Sequence, residues 1–429
     1  MVLWVIYALS CDSIVPQVAG AKFQAYLADN SSLAGKSLHE QALQYVLNVD
    51  IVEHLGDICQ TLLFLIGAMT IVELIDVHGG FRVITDKITT RRKRHLLWIL
   101  AFTTFFMSAI LDNLTTTIVM LMLLRKLLQT KTERWMYAAC IVIAANSGGA
   151  WSPIGDITTI MLWVNGNVTA GALIEYTLLP SLVSMILPVW IVSKRLHGEL
   201  RPISITVKED LGFTTRERNT MFYLGVGGLI FVPVFKSITH LPPFVGILFV
   251  LGVLWVFTEI FYNTKMLEKA KEHRIPKVIA RVDMPSILFF LGILMAVAVL
   301  QSTGILSWMA GALDEHVHNI YITDTLLGVM SSIVDNVPLV AAAMGMYPVA
   351  DPGAVGYAAD FVVNGTFWEL LSYCAGVGGS ILIIGSAAGV IAMGIEKISF
   401  GWYLRKFSAL AFLGFIAGVG VYMLEKWIF

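Results

Sequence analysis

Residues 110–117 read ILDNLTTT, inside a run that is otherwise apolar from Leu96 to Leu124, and residues 331–336 read SSIVDN inside another apolar run. A carboxylate beside a carboxamide at membrane depth is expensive, so its default reading is functional. The pair occurs once in each half of the chain, as Asp112-Asn113 and as Asp335-Asn336. That doubling predicts an ion site built by an internal repeat.

The surrounding composition supports membrane depth. The chain is 57% hydrophobic and only 14% charged, where soluble domains carry about 25% charged residues. The apolar segments are too long for the ten-residue alternating strands of an outer-membrane barrel. The expected class is an all-α polytopic membrane protein, partnered by the lipid bilayer. A net charge of −1 gives no reason to expect nucleic acid. The four cysteines (11, 59, 140, 374) make no CxxC and no Cys/His cluster with zinc spacing. The opening MVLWVIYALS is apolar but too short to span, and it lacks the basic start of a signal peptide. Residues 1–54 are therefore expected to hold the end of a truncated helix. Residues 12–56 would be a polar external connection, amphipathic near 38–52.

Apolar segments follow at 55–77, 96–128, 135–164, 173–192, 221–235, 244–262, 285–313, 326–346, 367–395 and 402–428. Lys/Arg-rich loops belong on the cytoplasmic side. RRKR at 91–94 and Arg125, Lys126, Lys131 and Arg134 flank both ends of 96–128. That segment then enters and leaves by one face, as a re-entrant hairpin with Asp112-Asn113 at its tip. Segment 326–346 has no basic flank, which makes it a hairpin from outside. Glycines recur at fixed offsets: Gly67 and Gly79 with Gly292 and Gly304, 225 apart; Gly148, Gly149 and Gly155 with Gly378, Gly379 and Gly385, 230 apart. The chain thus divides into a first repeat (55–195, hairpin 96–128, broken helix 135–164), linking helices (196–284) and a second repeat (285–429, hairpin 326–346, broken helix 367–395). An odd number of crossings separates them, so they are inverted. Paired Gly-interrupted segments are the best sequence pointer to a transporter's binding site.

Broken helices at membrane depth expose backbone groups that must face protein or a water-filled cavity. With Asp, Asn, Ser and Thr oxygens they form a hard-oxygen site for a small cation, without soft ligands. Asp112, Asp156 and Asp335 are the ionisable members. A buried carboxylate that can hold either a proton or a cation is sufficient for exchange. Each feature also has a plainer reading. Asp-Asn at a helix start can be a cap, Asp156 can cap 157–164, and the threonines at 115–117, 158 and 159 can bond back within their helices. Glu73 and Asp76 read as interfacial. No buried Ser/His/Asp or HExxH pattern suggests an enzyme.

NSGGAWSPIGDITTIMLW at 146–163, with ILDNLTTT, SSIVDNVPL and GGSILIIGSAAG, closely resembles the NhaD-type sodium/proton antiporters of the ion-transporter superfamily. The resemblance covers nearly everything from residue 55 onward. It implies Na+ or Li+ efflux in exchange for H+, no cofactor, a homodimer, and the bacterial inner (plasma) membrane. Its cation- and proton-binding residues would be Asp112, Asn113, Asn146, Asp156, Thr158, Asp335 and Asn336, with Ser380 and Ser386 in the second loop. Asp112, Asp156 and Asp335 would be the Na+/Li+ ligands. The alternatives are an anion carrier of the same superfamily (arsenite, di- or tricarboxylate) and a cation channel. Three aspartates at the breaks, with no Arg or Lys there, favour a cation.

Overall fold

Ser37 and Glu40 close a capping box at the head of a helix where the sequence suggested a polar connection. The computed structural model describes residues 2–33, 35–85, 90, 92–128, 130–199, 214–265 and 275–428. Parts of the basic loops used for orientation (86–89, 91, 200–213, 266–274) lie outside the described residues. The N-terminal region is helical: α1 (Val2–Leu9), α2 (Cys11–Val18), α3 (Gly20–Asp29) and α4 (Leu38–Tyr45). A π turn at Val46–Asp50 joins α4 to α5 (Ile51–Val77), so one apolar helix runs over 38–77. The stretch 12–56, expected as a polar connection amphipathic near 38–52, is largely helical, with Val15, Phe23, Ala42 and Tyr45 buried and Asp50 buried among its polar residues. Trp4 donates to the Met295 carbonyl at 2.9 Å, and Tyr7 to Asp50 at 2.6 Å. The first bond ties the region to the second half of the chain, and the second closes the region on itself ahead of α5.

After α6 (Arg82–Thr85) come α7 (Lys93–Leu111), α8 (Asn113–Leu127), α9 (Lys131–Gly149), α10 (Ile157–Val164) and α11 (Ala170–Arg195). The linking helices are α12 (Thr215–Thr239), α13 (Pro243–Lys265) and α14 (Ile275–Ile279). Then follow α15 (Met284–Ser302), α16 (Ile305–His316), α17 (Ile320–Met330), α18 (Asn336–Met346), α19 (Thr366–Gly378), α20 (Ala387–Glu396), α21 (Phe400–Tyr403) and α22 (Ala409–Ile428). No strand occurs among the described residues. Six helices are long and apolar enough to cross a membrane, or seven if the bent pair α15–α16 counts as one.

That bend divides the expected segment 285–313 into two helices. Helix α15 stops at Ser302, Gly304 takes a left-handed φ of 74°, and α16 leaves at 74°. Only glycine adopts such a φ cheaply. The matched Gly79 has φ 68° just past the end of α5. The glycine offset seen in the sequence therefore marks a helix stop in both halves. Helix α16 exposes Ile305, Trp308 and Met309, a surface suited to the membrane interface.

Elements recur in the same order. Helices α7 and α8 both pack on α9, and α17 and α18 both pack on α19. Helix α8 also packs against α7, whereas α17 and α18 pack on α19 more than on each other. Helix α7 alone has 19 residues, about 28 Å of helix, close to a bilayer core. The last long helices of the two sets, α11 and α22, pack face to face. A Cβ on Gly414 or Gly418 would lie 2.3 Å from the Ser184 carbonyl oxygen or 2.6 Å from that of Pro180. Small residues one turn apart let the two backbones approach. Helix α11 also packs on both α9 and α19, the helices that break.

Candidate functional site

Helix α9 ends at Gly149 and α10 begins at Ile157; α19 ends at Gly378 and α20 begins at Ala387. The two intervening loops are built by matched contacts. A Cβ on Gly148 would sit 2.2 Å from the Phe105 carbonyl oxygen, and one on Gly378 2.0 Å from that of Gly328. Only glycine permits either approach. Ser108 Oγ donates to the Ala145 carbonyl at 2.6 Å, and Ser331 Oγ to that of Ala375 at 2.7 Å. Asp156 and Ser386 precede their half-helices with nearly identical backbone angles, φ −145°, ψ 153° and φ −146°, ψ 153°. Each side chain caps its helix, but only Asp156 brings a charge.

The breaks meet at that charge. Asn113 Nδ2 donates to Asp156 Oδ2 at 2.9 Å, and Asn336 Nδ2 donates to the same oxygen at 3.1 Å. Asn113 also donates to Asn146 Oδ1 at 3.2 Å. Asn146 Nδ2 donates in turn to Ser380 Oγ at 2.9 Å and Ser386 Oγ at 2.8 Å. All these residues are buried, as is Thr158, whose hydroxyl has no partner. Seven of the nine expected residues therefore converge: Asn113, Asn146, Asp156, Thr158, Asn336, Ser380 and Ser386. Rotating either asparagine amide about χ2 would present Oδ1 in place of Nδ2. The network can thus turn from donating to a carboxylate to ligating a cation.

The other two aspartates differ from expectation. Asp112, at φ 80°, directs its carboxylate to its own helix, accepting from Thr115 N at 2.7 Å and Thr115 Oγ1 at 2.9 Å. Asp335 is half-buried at the head of α18 and makes no side-chain cap bond. Both flank Asp156 closely enough for their charges to act on it. No cluster of three His, Cys, Asp or Glu able to hold a metal ion exists among the described residues. The hydrogen-bond network around Asp156 thus joins one carboxylate to Asn and Ser side chains, with the carboxylates of Asp112 and Asp335 beside it and outside those bonds. An isolated charge that deep needs a partner, proton or cation.

Two features lay outside the sequence reading. Glu396, fully buried at the end of α20, meets Arg125 Nε at 2.7 Å and Arg134 Nε at 2.8 Å. It joins α20 to the far end of α8 and the start of α9. Its place before Lys397 on an apolar run was the available signal. A cavity of about 790 Å³ opens beside α5, α10, α15 and α18, with Asp50, Glu53, His54 and Asp57 along one wall and Met161 and Ala341 in its lining. Glu73 pairs loosely with Arg281 at 3.8 Å, consistent with an interfacial position.

A family model described as "Citrate transporter" matches residues 38–363. The chain is 43% identical to sodium/proton antiporter 2 of Arabidopsis thaliana, covering 88% of each protein. It is 31% identical to the Na(+)/H(+) antiporter NhaD of Alkalimonas amylolytica, over 86% of this chain and 78% of that one. The chain belongs to the citrate-transporter family, among the NhaD-type antiporters. It is also 45% identical to sodium/proton antiporter 1 of Arabidopsis thaliana, over 87% of this chain, but spans only 63% of that protein's length. NhaD-type relatives are transporters, so this chain is an integral membrane transport protein and not an enzyme.

Proposed function

We propose that the protein exchanges Na+ or Li+ for H+ across its membrane, with cation and proton alternating at Asp156. The observation that carries this is the convergence of Asn113 and Asn336, one from each broken arm, on Asp156 Oδ2. One negative charge among neutral Asn, Ser and Thr oxygens matches one monovalent hard cation. Asp112 and Asp335 add negative potential rather than direct ligands. The matched family model is named for citrate, but an anion at this site would meet the Asp156 carboxylate with no Arg or Lys in the network.

The matched loop contacts support two inverted repeats, and the breaks at Asp112 and at 331–335 support paired hairpins. We propose further that the protein acts as a homodimer in a bacterial plasma membrane, as the similarity to the NhaD antiporter of Alkalimonas amylolytica suggests. The test is cation-induced proton movement in everted vesicles, comparing Na+, Li+, K+, arsenite and citrate. Wild-type protein should respond to Na+ or Li+, and Asp156→Asn should not. A response to citrate or arsenite alone would assign the site to anions.

A further inference from the structure

Asp324 lies on α17 with no exposed surface, and neither carboxylate oxygen has a hydrogen-bond partner. It takes no part in the Asp156 network. The titratable groups close enough to act on it are Asp360, Tyr347 and Tyr357 in the 347–365 loop region, Cys374 on α19 and Tyr422 on α22. None is a cation. The contrast is Glu369 on α19, also buried, whose Oε2 accepts from Lys426 Nζ at 2.8 Å and Tyr422 OH at 2.8 Å. That pair is neutralised in place. Asp324 has no such partner, and an ionised carboxylate left unpaired in an apolar interior is strongly disfavoured. Asp324 would need a partner, or access to water, to hold a negative charge where it lies.

Its position fits an exchange cycle. Asp324 stands seven residues before Ser331, about 10 Å of helix from the break that carries Asn336. On its other side lies the 347–365 loop, the outer face on the charge reading. The matched position in the first half, 223 residues earlier, is Ala101. The carboxyl is thus a feature of the second half alone and not part of the shared scaffold. We propose that Asp324 carries an exchanged proton on a group separate from the cation-binding Asp156, loaded from the face of the 347–365 loop. The proton comes from water at that face, protonates the carboxylate, and leaves to water at the break during the opposite half of the cycle. This inference rests on the antiport reading above.

The experiment uses full-length protein in proteoliposomes and reads two fluxes. Proton-coupled Na+ uptake, driven by a pH gradient, needs every proton carrier. Na+/Na+ counterflow at equal pH needs only the cation site. For Asp324→Asn we expect the coupled flux to fall by at least about tenfold, with its pH dependence flattened, while counterflow persists. Asp324→Glu should restore the coupled flux. Asp324→Leu, which deletes the unpaired oxygens, should give the same split with unchanged or higher thermal stability. Loss of both fluxes in all three variants would overturn the proposal in favour of a packing role, and retention of both in Asp324→Asn would overturn it outright. A wild type with no proton-coupled Na+ flux would instead refute the antiport reading, and this inference with it.

Discussion

Asn336→Ala isolates the contact that joins the second broken arm to Asp156. The amide donates a single 3.1 Å bond to Asp156 Oδ2, and no other hydrogen bond from its side chain is formed. A hydrogen bond to a charged group contributes about 1.5–3 kcal/mol, which is roughly 10- to 150-fold in an equilibrium constant. The same oxygen keeps its 2.9 Å bond from Asn113, so the lower end, about tenfold, is expected. The substitution also removes a ligand oxygen available by amide rotation. The first loss acts against the ionised, unoccupied carboxylate and so favours the competing proton, the second acts against the cation-bound form, and the protonated form is left intact. The half-saturating Na+ concentration should therefore rise about tenfold at fixed pH. The activity profile should move to higher pH, where protons compete less. The assay is Na+-induced fluorescence dequenching in everted vesicles across a pH series, with membrane protein amounts matched. Asn336→Gln, Asn113→Ala and the double Ala variant complete a cycle, and coupling is expected because both amides share one oxygen. A half-saturation within twofold of wild type for Asn336→Ala, at every pH, would refute the convergence of the two arms on Asp156.

Other substitutions test other contacts. Gly378→Ala should abolish folded protein, because its Cβ would sit 2.0 Å from the Gly328 carbonyl oxygen, while Gly394→Ala, with open space around it, should be neutral; equal melting temperatures would contradict the packing of α17 on α19. Glu396→Ala strips the counter-charge from Arg125 and Arg134. A buried pair of this kind would cost about 3–5 kcal/mol, but Arg125 is 45% and Arg134 21% exposed, so about 1–2 kcal/mol is expected; a melt in detergent unchanged by the substitution would argue against the tie. Ile333 is 68% exposed at the second break. In a background lacking the four native cysteines, Ile333→Cys should react with an impermeant thiol reagent from the outer face only, and labelling from the cytoplasmic side would refute the outward hairpin. Ser331→Cys should stay unreactive, because Ser331 is buried and bonded to the Ala375 carbonyl.

The sequence by itself determined the class and the places where helices break. Composition and segment length demand a membrane, since so few charges cannot solvate so much apolar surface. Polar residues inside apolar runs mark the breaks because hydrocarbon offers them no other partners. Glycine offsets pair the halves because Gly79 and Gly304 both take positive φ, and Gly148 and Gly378 both meet a carbonyl no Cβ could tolerate. Those are backbone constraints, and backbone constraints leave fixed residues at fixed spacing. Only the tertiary structure decided how the aspartates divide. Asp112, Asp156 and Asp335 were all candidate ligands in sequence, the first and last as the repeated Asp-Asn pair and Asp156 as a lone carboxylate after Gly155. In the fold Asp112 turns back to Thr115, whereas Asp156 receives both asparagines. That choice depends on how α9, α10 and the two arms cross, over separations of 43 and 180 residues. The helical N-terminal region, the bend at Gly304 and the Glu396 tie were hidden for the same reason. Each is stabilised by partners far along the chain, and local pattern carries no record of which distant surface a side chain will meet.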